Sequence, residues 1–222
     1  MAIDLTELAA GQVVTGFSFP LVALYANNGG TVSYSDGMDL ARGVKVDPKI
    51  EAADDDNVFY ANNRSAETSQ RRFRAGTLNL TVDGLLTAAE KLIMGLGATA
   101  ESTVTVGEGA GAKTVNMTDY GDAQDIPYVG VGYVVRSQSN GVDLFRAVVY
   151  TKVRFDQFGI PAETQGEDID WQTTELSGAL SRDDTSKHNW QRVSEILKSE
   201  LEAYNTARAV LGMEPAAALP ET

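Results

Sequence analysis

The dipeptide Asn140-Gly141 constrains this 222-residue chain more than any other feature, because it sits between two long runs of strand-forming residues. A two-residue type I′ turn needs positive φ at both central positions, and Asn followed by Gly tolerates that best. The flanking runs are therefore expected to pair as an antiparallel hairpin. On the outgoing strand Phe145, Ala147, Val149, Val153 and Phe155 share one parity, and Leu144, Arg146, Tyr150, Lys152 and Arg154 share the other. Alternation across a strand then predicts one core face and one mixed face. On the incoming strand Tyr128, Gly130, Gly132 and Val134 alternate with Val129, Val131, Tyr133 and Val135. Neither set is polar, so cover on both faces is expected. Pro161 ends the ladder, and an acidic connection through Glu163 and Gly166 leads to a third extended segment around Trp171.

Other stretches read as strands and turns. Leu21 to Tyr25 is closed by Asn27-Asn28-Gly29-Gly30, which makes Val32 to Tyr34 its hairpin partner. Pro48 cannot donate to a ladder and marks a strand edge or bulge. From Gln70 to Asp83, Phe73 and Ala75 share one parity while Leu78, Leu80 and Val82 share the other, so a one-residue slip at Gly76 is expected to bring both sets to one face. Residues 58–62 form a short strand within a polar arm near 50–70. Thr103 to Val106 and Lys113 to Met117 flank the mobile glycine-rich tip Gly107-Glu108-Gly109-Ala110-Gly111.

Two helices are expected. Thr87 with Glu90 reads as a capping box for a short helix near 87–95, with Ala88, Leu92 and Leu96 on its apolar face. Trp190, Val193, Leu197, Leu201, Tyr204, Ala207 and Leu211 recur at three or four residues, which predicts a longer helix near 186–211 packed on the sheet. The fold class is mainly β (α+β): two packed antiparallel sheets or a partly closed barrel, carrying these two helices. One domain spans residues 1–212, and 213–222 form an extended or frayed tail. Met1 to Gln12 reads equally as an arm or a weak helix.

Composition narrows function. There is no cysteine, hence no disulfide and no thiolate metal site. No apolar run approaches the roughly 20 residues of a membrane span, and no basic segment precedes an apolar signal core, so a protein made in the cytoplasm is expected. With 31 acidic against 18 basic residues the net charge is −13, which repels nucleic acid rather than binding it. Asp54-Asp55-Asp56-Asn57 lacks EF-hand spacing and reads as a solvated acidic loop. His188, the only histidine, stands near Asp183, Asp184, Ser186 and Ser194 without a nucleophile elbow. No enzyme, cofactor or metal reading follows. Arg71, Arg72 and Arg74 read as partners for carboxylates within or between subunits.

The Val148-Val149-Tyr150-Thr151-Lys152-Val153-Arg154-Phe155 strand is followed by an acidic, Gly-containing connection. Ile169-Asp170-Trp171-Gln172-Thr173-Thr174-Glu175-Leu176-Ser177-Gly178 comes next. This order resembles the major tail proteins of long-tailed siphophages, the phi13-type family. Asp54 to Tyr60 and the strand Thr77 to Val82 agree with it, so the resemblance covers roughly residues 40–210. It implies a tail-tube subunit in the virion, assembled in the host cytoplasm as hexameric rings that stack into a tube. DNA passes through without specific binding, and the tape-measure protein and tail-end proteins are partners. Arg64, Arg71, Arg72, Arg74, Lys152, Arg154 and Trp171 are then the candidate subunit-contact residues, with Trp171 either at a junction or in the core. The alternative from strand count is a monomeric β-sandwich binding module for sugars or proteins.

Overall fold

A computed structural model describes residues 12–52, 58–61, 64–68, 73–97, 100–122, 124–164 and 172–220, the short strands between 58 and 68 by backbone alone. In chain order the strands are β1 (Val13–Asn28), β2 (Thr31–Asp39), β3 (Gly43–Ala52), β4 (Val58–Ala61), β5 (Arg64–Thr68) and β6 (Phe73–Val82). They continue as β7 (Glu101–Val106), β8 (Lys113–Thr118), β9 (Val129–Ser139), β10 (Val142–Phe155), β11 (Thr174–Ser181) and β12 (Gln191–Val193). Two helices, α1 (Thr87–Ile93) and α2 (Glu200–Val210), complete a mainly β chain.

Turn chemistry sets the local pairings. Asn140 and Gly141 take φ of 50° and 79°, and the residues flanking them, Ser139 and Val142, face each other across β9 and β10. Gly29 and Gly30 take φ of 61° and 88° between β1 and β2, where Tyr25 faces Tyr34 as expected. The 107–111 tip joins β7 to β8 through a single 3₁₀ turn, Gly109–Gly111.

The pairings build one large antiparallel sheet in the order β2-β1-β9-β10-β11-β6-β3, with β12 added to β10, while β4-β5 and β7-β8 stand apart as two-stranded hairpins. Of the two packed sheets or partly closed barrel expected from sequence, the antiparallel architecture is present, and the ladders do not close a barrel. The sheet instead curls until its ends share a core: Val22 and Leu40 lie in one buried cluster with Leu78, Leu80, Leu176 and Leu180. Gly43 at the start of β3 abuts the Phe17 ring of β1, where a Cβ would not fit. Pro48 lies on β3, the terminal strand, so its missing N–H breaks no interior ladder.

Bulges re-phase two strands relative to the expected parity. Between Tyr150 and Val153 β10 advances three residues against two on β9. Val153 and Phe155 therefore join Val148 and Tyr150 in the inner cluster, while Phe145, Ala147 and Val149 belong to a second cluster on the opposite face. On β6 the bulge falls at Arg74, not Gly76, because Ala52 faces Phe73 and Glu51 faces Ala75. Gly76 sits in regular register, where a Cβ would stand 2.8 Å from the Lys49 carbonyl oxygen.

The expected long helix is also shortened. Residues before Ser199 are drawn into the sheet: β12 pairs with Val148 to Tyr150, and Leu197 and Phe145 exchange backbone bonds of 2.8 and 2.9 Å. The Ser194 hydroxyl accepts from the Ala147 N–H at 2.9 Å. Only α2 remains helical, capped by the Ser199 hydroxyl, which accepts from the Glu202 N–H. Trp190 leaves the helical stripe and stacks on Phe73 with centroids 4.9 Å apart, next to Tyr150 at 6.4 Å. In α1 the first residue is Thr87 itself, the N-cap is Leu86 with no side-chain cap bond, and Ala89 and Ile93 are buried, with Leu92 packed against the core, Leu96 buried in it and Ala88 exposed. Glu90 instead accepts from the Tyr120 hydroxyl.

α2 covers the outer face of β1, β9 and β10 through Ala203, Tyr204, Ala207 and Leu211. Its approach depends on glycine: a Cβ at Gly130 would stand 2.5 Å from the Tyr34 ring and 2.6 Å from Leu211 Cδ2. Both faces of β9 are thus covered, as its pattern required. Residues 213–220 are irregular and lie back against α2, with Met213, Ala216 and Leu219 packed on its cluster. The Asn205 amide accepts from the Ala216 N–H at 2.7 Å and donates to its carbonyl at 3.0 Å. Gly130→Ala should cost about 1–3 kcal/mol by forcing α2 outward. Urea unfolding checks this, and stability equal to the parent would show that the helix has room to spare.

Candidate functional site

The β10 bulge decides where the expected contact residues go. By shifting Val153 and Phe155 inward it places Lys152 and Arg154 on the outer face, beside aromatic side chains from β1 and from the residue preceding β9. Lys152 Nζ stands 4.7 Å from the Tyr128 ring centroid and 5.1 Å from that of Tyr25. The Arg154 guanidinium lies 5.4 Å from the same Tyr128 ring and is exposed. Cations in such positions are held by the ring quadrupole while their remaining donors face solvent.

Asp184 ties the group together. Its Oδ2 accepts from Lys152 Nζ at 2.7 Å and from the Tyr25 hydroxyl at 2.7 Å, and its own N–H donates back to the Tyr25 oxygen at 2.9 Å. Tyr34 stacks edge-on against Tyr25 and donates to the Thr151 carbonyl at 2.8 Å, which fixes the bulge itself. The loop behind is wound around the buried Asp183, whose Oδ1 accepts from the Thr185 hydroxyl and from the N–H groups of Thr185 and Asn189. His188 turns this loop with a φ of 51°, its Nδ1 3.4 Å from the Asp183 carbonyl oxygen. It serves as a turn residue facing solvent, with Ser194 committed to the β10 edge.

The cluster shifts two titrations in opposite senses. Lys152 donation, then the Tyr25 hydroxyl, holds the Asp184 carboxyl below the usual carboxylate range. Its contribution to stability is present above the ordinary value of about 3.9 and fades as pH falls through the lowered one. Burial, then the bond to Asp184, pushes the Tyr25 phenol up to about 12. That contribution is complete below about 10 and fades as pH rises through the raised value. Burial raises the Tyr34 phenol as well.

The other expected contact residues are scattered. Arg74 is exposed on β6 at its bulge against β3, with Phe73 beside it under the Arg182 guanidinium. Arg64 opens β5 in the separate hairpin. Arg71, Arg72 and Trp171 lie outside the described residues, as does the Asp54 to Asn57 loop. Among the described residues no group of three His, Cys, Asp or Glu side chains is placed to hold a metal ion, and no helix is long and apolar enough to cross a membrane. Sequence reasoning missed Tyr25, Tyr34, Tyr128 and Asp184. The Gly29-Gly30 register alone pairs Tyr25 with Tyr34, but nothing local signals that Asp184 would return to them.

No family model matches this chain, and no curated protein matches it either. The site is thus read from its own chemistry: a fixed carboxylate at its centre, one neutralised ammonium, and an exposed guanidinium oriented by an aromatic ring. Tyr25→Phe should raise the Asp184 pKa toward the ordinary range, as followed by carboxyl NMR titration. An unchanged titration would mean that Lys152 alone sets it.

Proposed function

We propose that this chain is the structural subunit of a phage tail tube, assembling into hexameric rings that stack into a conduit for DNA. The observation that carries the reading is the strand order. One continuous sheet ends in two long strands, β2 and β3, each with an outer edge that no described strand pairs. Unpaired edges of this length are templates for joining another sheet. Both edge strands are irregular: β3 contains Pro48, and β2 carries a bulge at Asp36 and Gly37 with Asp36 at a φ of 51°.

The charge supports the same reading. A subunit of net charge −13 suits a wall along which DNA slides without binding. Copies of such a subunit repel one another unless cations lie at their contacts, and the exposed Arg154 over Tyr128 is such a cation. Its partners are then copies of itself, a tape-measure protein within the growing tube and tail-end proteins, in a virion assembled in the host cytoplasm. The second reading, a monomeric β-sandwich module for sugars or proteins, draws on the same tyrosine-lined patch around Tyr25 and Tyr128.

Electron microscopy of the purified protein separates the two, since rings or tubes support the first and a strictly monomeric solution state the second. Arg154→Glu should abolish or strongly weaken assembly at every salt concentration while leaving the melting temperature within a few degrees of the parent. Raising salt from low to moderate should favour assembly of the parent by screening over a Debye length of about 8 Å at physiological strength. Normal assembly of Arg154→Glu would remove this residue from the contact.

A further inference from the structure

The β7-β8 hairpin stands outside the main sheet, and its two faces differ. Register places Val104 opposite Val115, Ser102 opposite Met117 and Val106 opposite Lys113, so Val104, Val106, Val115 and Met117 share one mainly apolar face with Ser102 and Lys113, while Thr103, Thr105, Thr114 and Asn116 lie on the other. Those four apolar side chains are between 45% and 58% exposed. A lone two-stranded hairpin is marginal in water, so an amphipathic one with a bare apolar face requires a covering surface.

A complementary surface exists on the same molecule but out of use by this hairpin. Where the curled sheet brings β1 toward β3, a groove of about 790 Å³ opens, floored by Phe17, Phe19, Leu85 and Leu86 and bordered by Pro220. Leu86 remains 53% exposed at its mouth. Groove and hairpin adjoin opposite ends of α1. Leu85 and Leu86 precede its first turn, whereas the hairpin is rooted beside its last, where Lys91 pairs with Glu101. About 10 Å of helix separates the two. The rim of the groove carries Arg42 and Asp83, paired with each other, so its floor is the apolar part left open.

We infer that the apolar face of the β7-β8 hairpin of one copy seats in the Phe17–Phe19–Leu85–Leu86 groove of a second copy. The two surfaces differ, so the contact is heterologous and repeats head to tail, closing a ring or running on as a filament. This rests on the self-assembly reading above and adds to it the pair of surfaces that meet.

The chain has no cysteine, so single-cysteine variants report the contact without background. Val115→Cys and Leu86→Cys, both at exposed positions, are purified separately, checked for parental melting, mixed and oxidised. The expected result is a disulfide-linked dimer in the mixture and none in either variant alone. Val115→Glu should raise the protein concentration needed for assembly by about tenfold or more. Cross-linking of Val115→Cys to itself would overturn the inference in favour of two hairpins packed face to face. Rings or tubes in micrographs without any cross-link would overturn the contact while leaving the tube reading intact. Absence of all assembly by the parent protein would remove the tube reading and the contact with it.

Discussion

β10 is buried on both faces for most of its length, so its backbone N–H and C=O groups have no water to turn to and must be paired along both edges. β9 supplies one edge from Val142 to Val153, broken by the bulge after Tyr150. The other is divided among three elements: Leu197 opposite Phe145, β12 opposite Val148 to Tyr150, and β11 from Lys152 onward. The last of these carries β6 and β3 with it, joining them to β9, β1 and β2 in one ladder order. The same demand pulls residues 190–197 out of a helix. A helix there satisfies its own backbone but leaves the β10 edge bare, at a cost of about 1–3 kcal/mol for each buried group left unsatisfied.

The bulge at Thr151 and Lys152 follows from that arrangement and sets the chemistry of the outer surface. Without it Lys152 and Arg154 would point into the apolar interior, where two cations are costly, and Val153 and Phe155 would face water. With it the cations fall among Tyr25, Tyr128 and Asp184. Position thus comes from a break in alternation, held by the Tyr34 bond to the Thr151 carbonyl.

What was legible in the sequence was what is decided locally. Asn140-Gly141, Gly29-Gly30 and Pro48 act through φ or a missing donor, and each did what its chemistry requires. The two-sided cover of β9 was legible from its unbroken apolar run, though not that Gly130 and Gly132 mark the helix side. What escaped reading depended on partners distant in sequence. Trp190, Val193 and Leu197 are spaced as well for a helix as for anything else, and only the open β10 edge decides against it. Bulges leave the residue types unchanged and move only the phase, so Arg74 and Thr151 carried no mark. Of the candidate contact residues, Lys152 and Arg154 proved to be neighbours because they share a strand, whereas Arg74 and Arg64 share nothing with them but charge sign.

The pairing of β1 with β9 has a consequence for how the chain is completed. Val13 meets Gln138 and Leu24 meets Val129, so β1 finds its inner neighbour only after the 100 residues from 29 to 128 have followed. Until then β1 has only β2 beside it, and the apolar run Leu21 to Ala23 lacks both the sheet and α2 that later enclose it. Closing so long a loop carries an entropic cost before any contact offsets it, which makes the sheet slow to form. A newly made chain therefore passes through a period in which its edges are longer and more apolar than those of the finished fold.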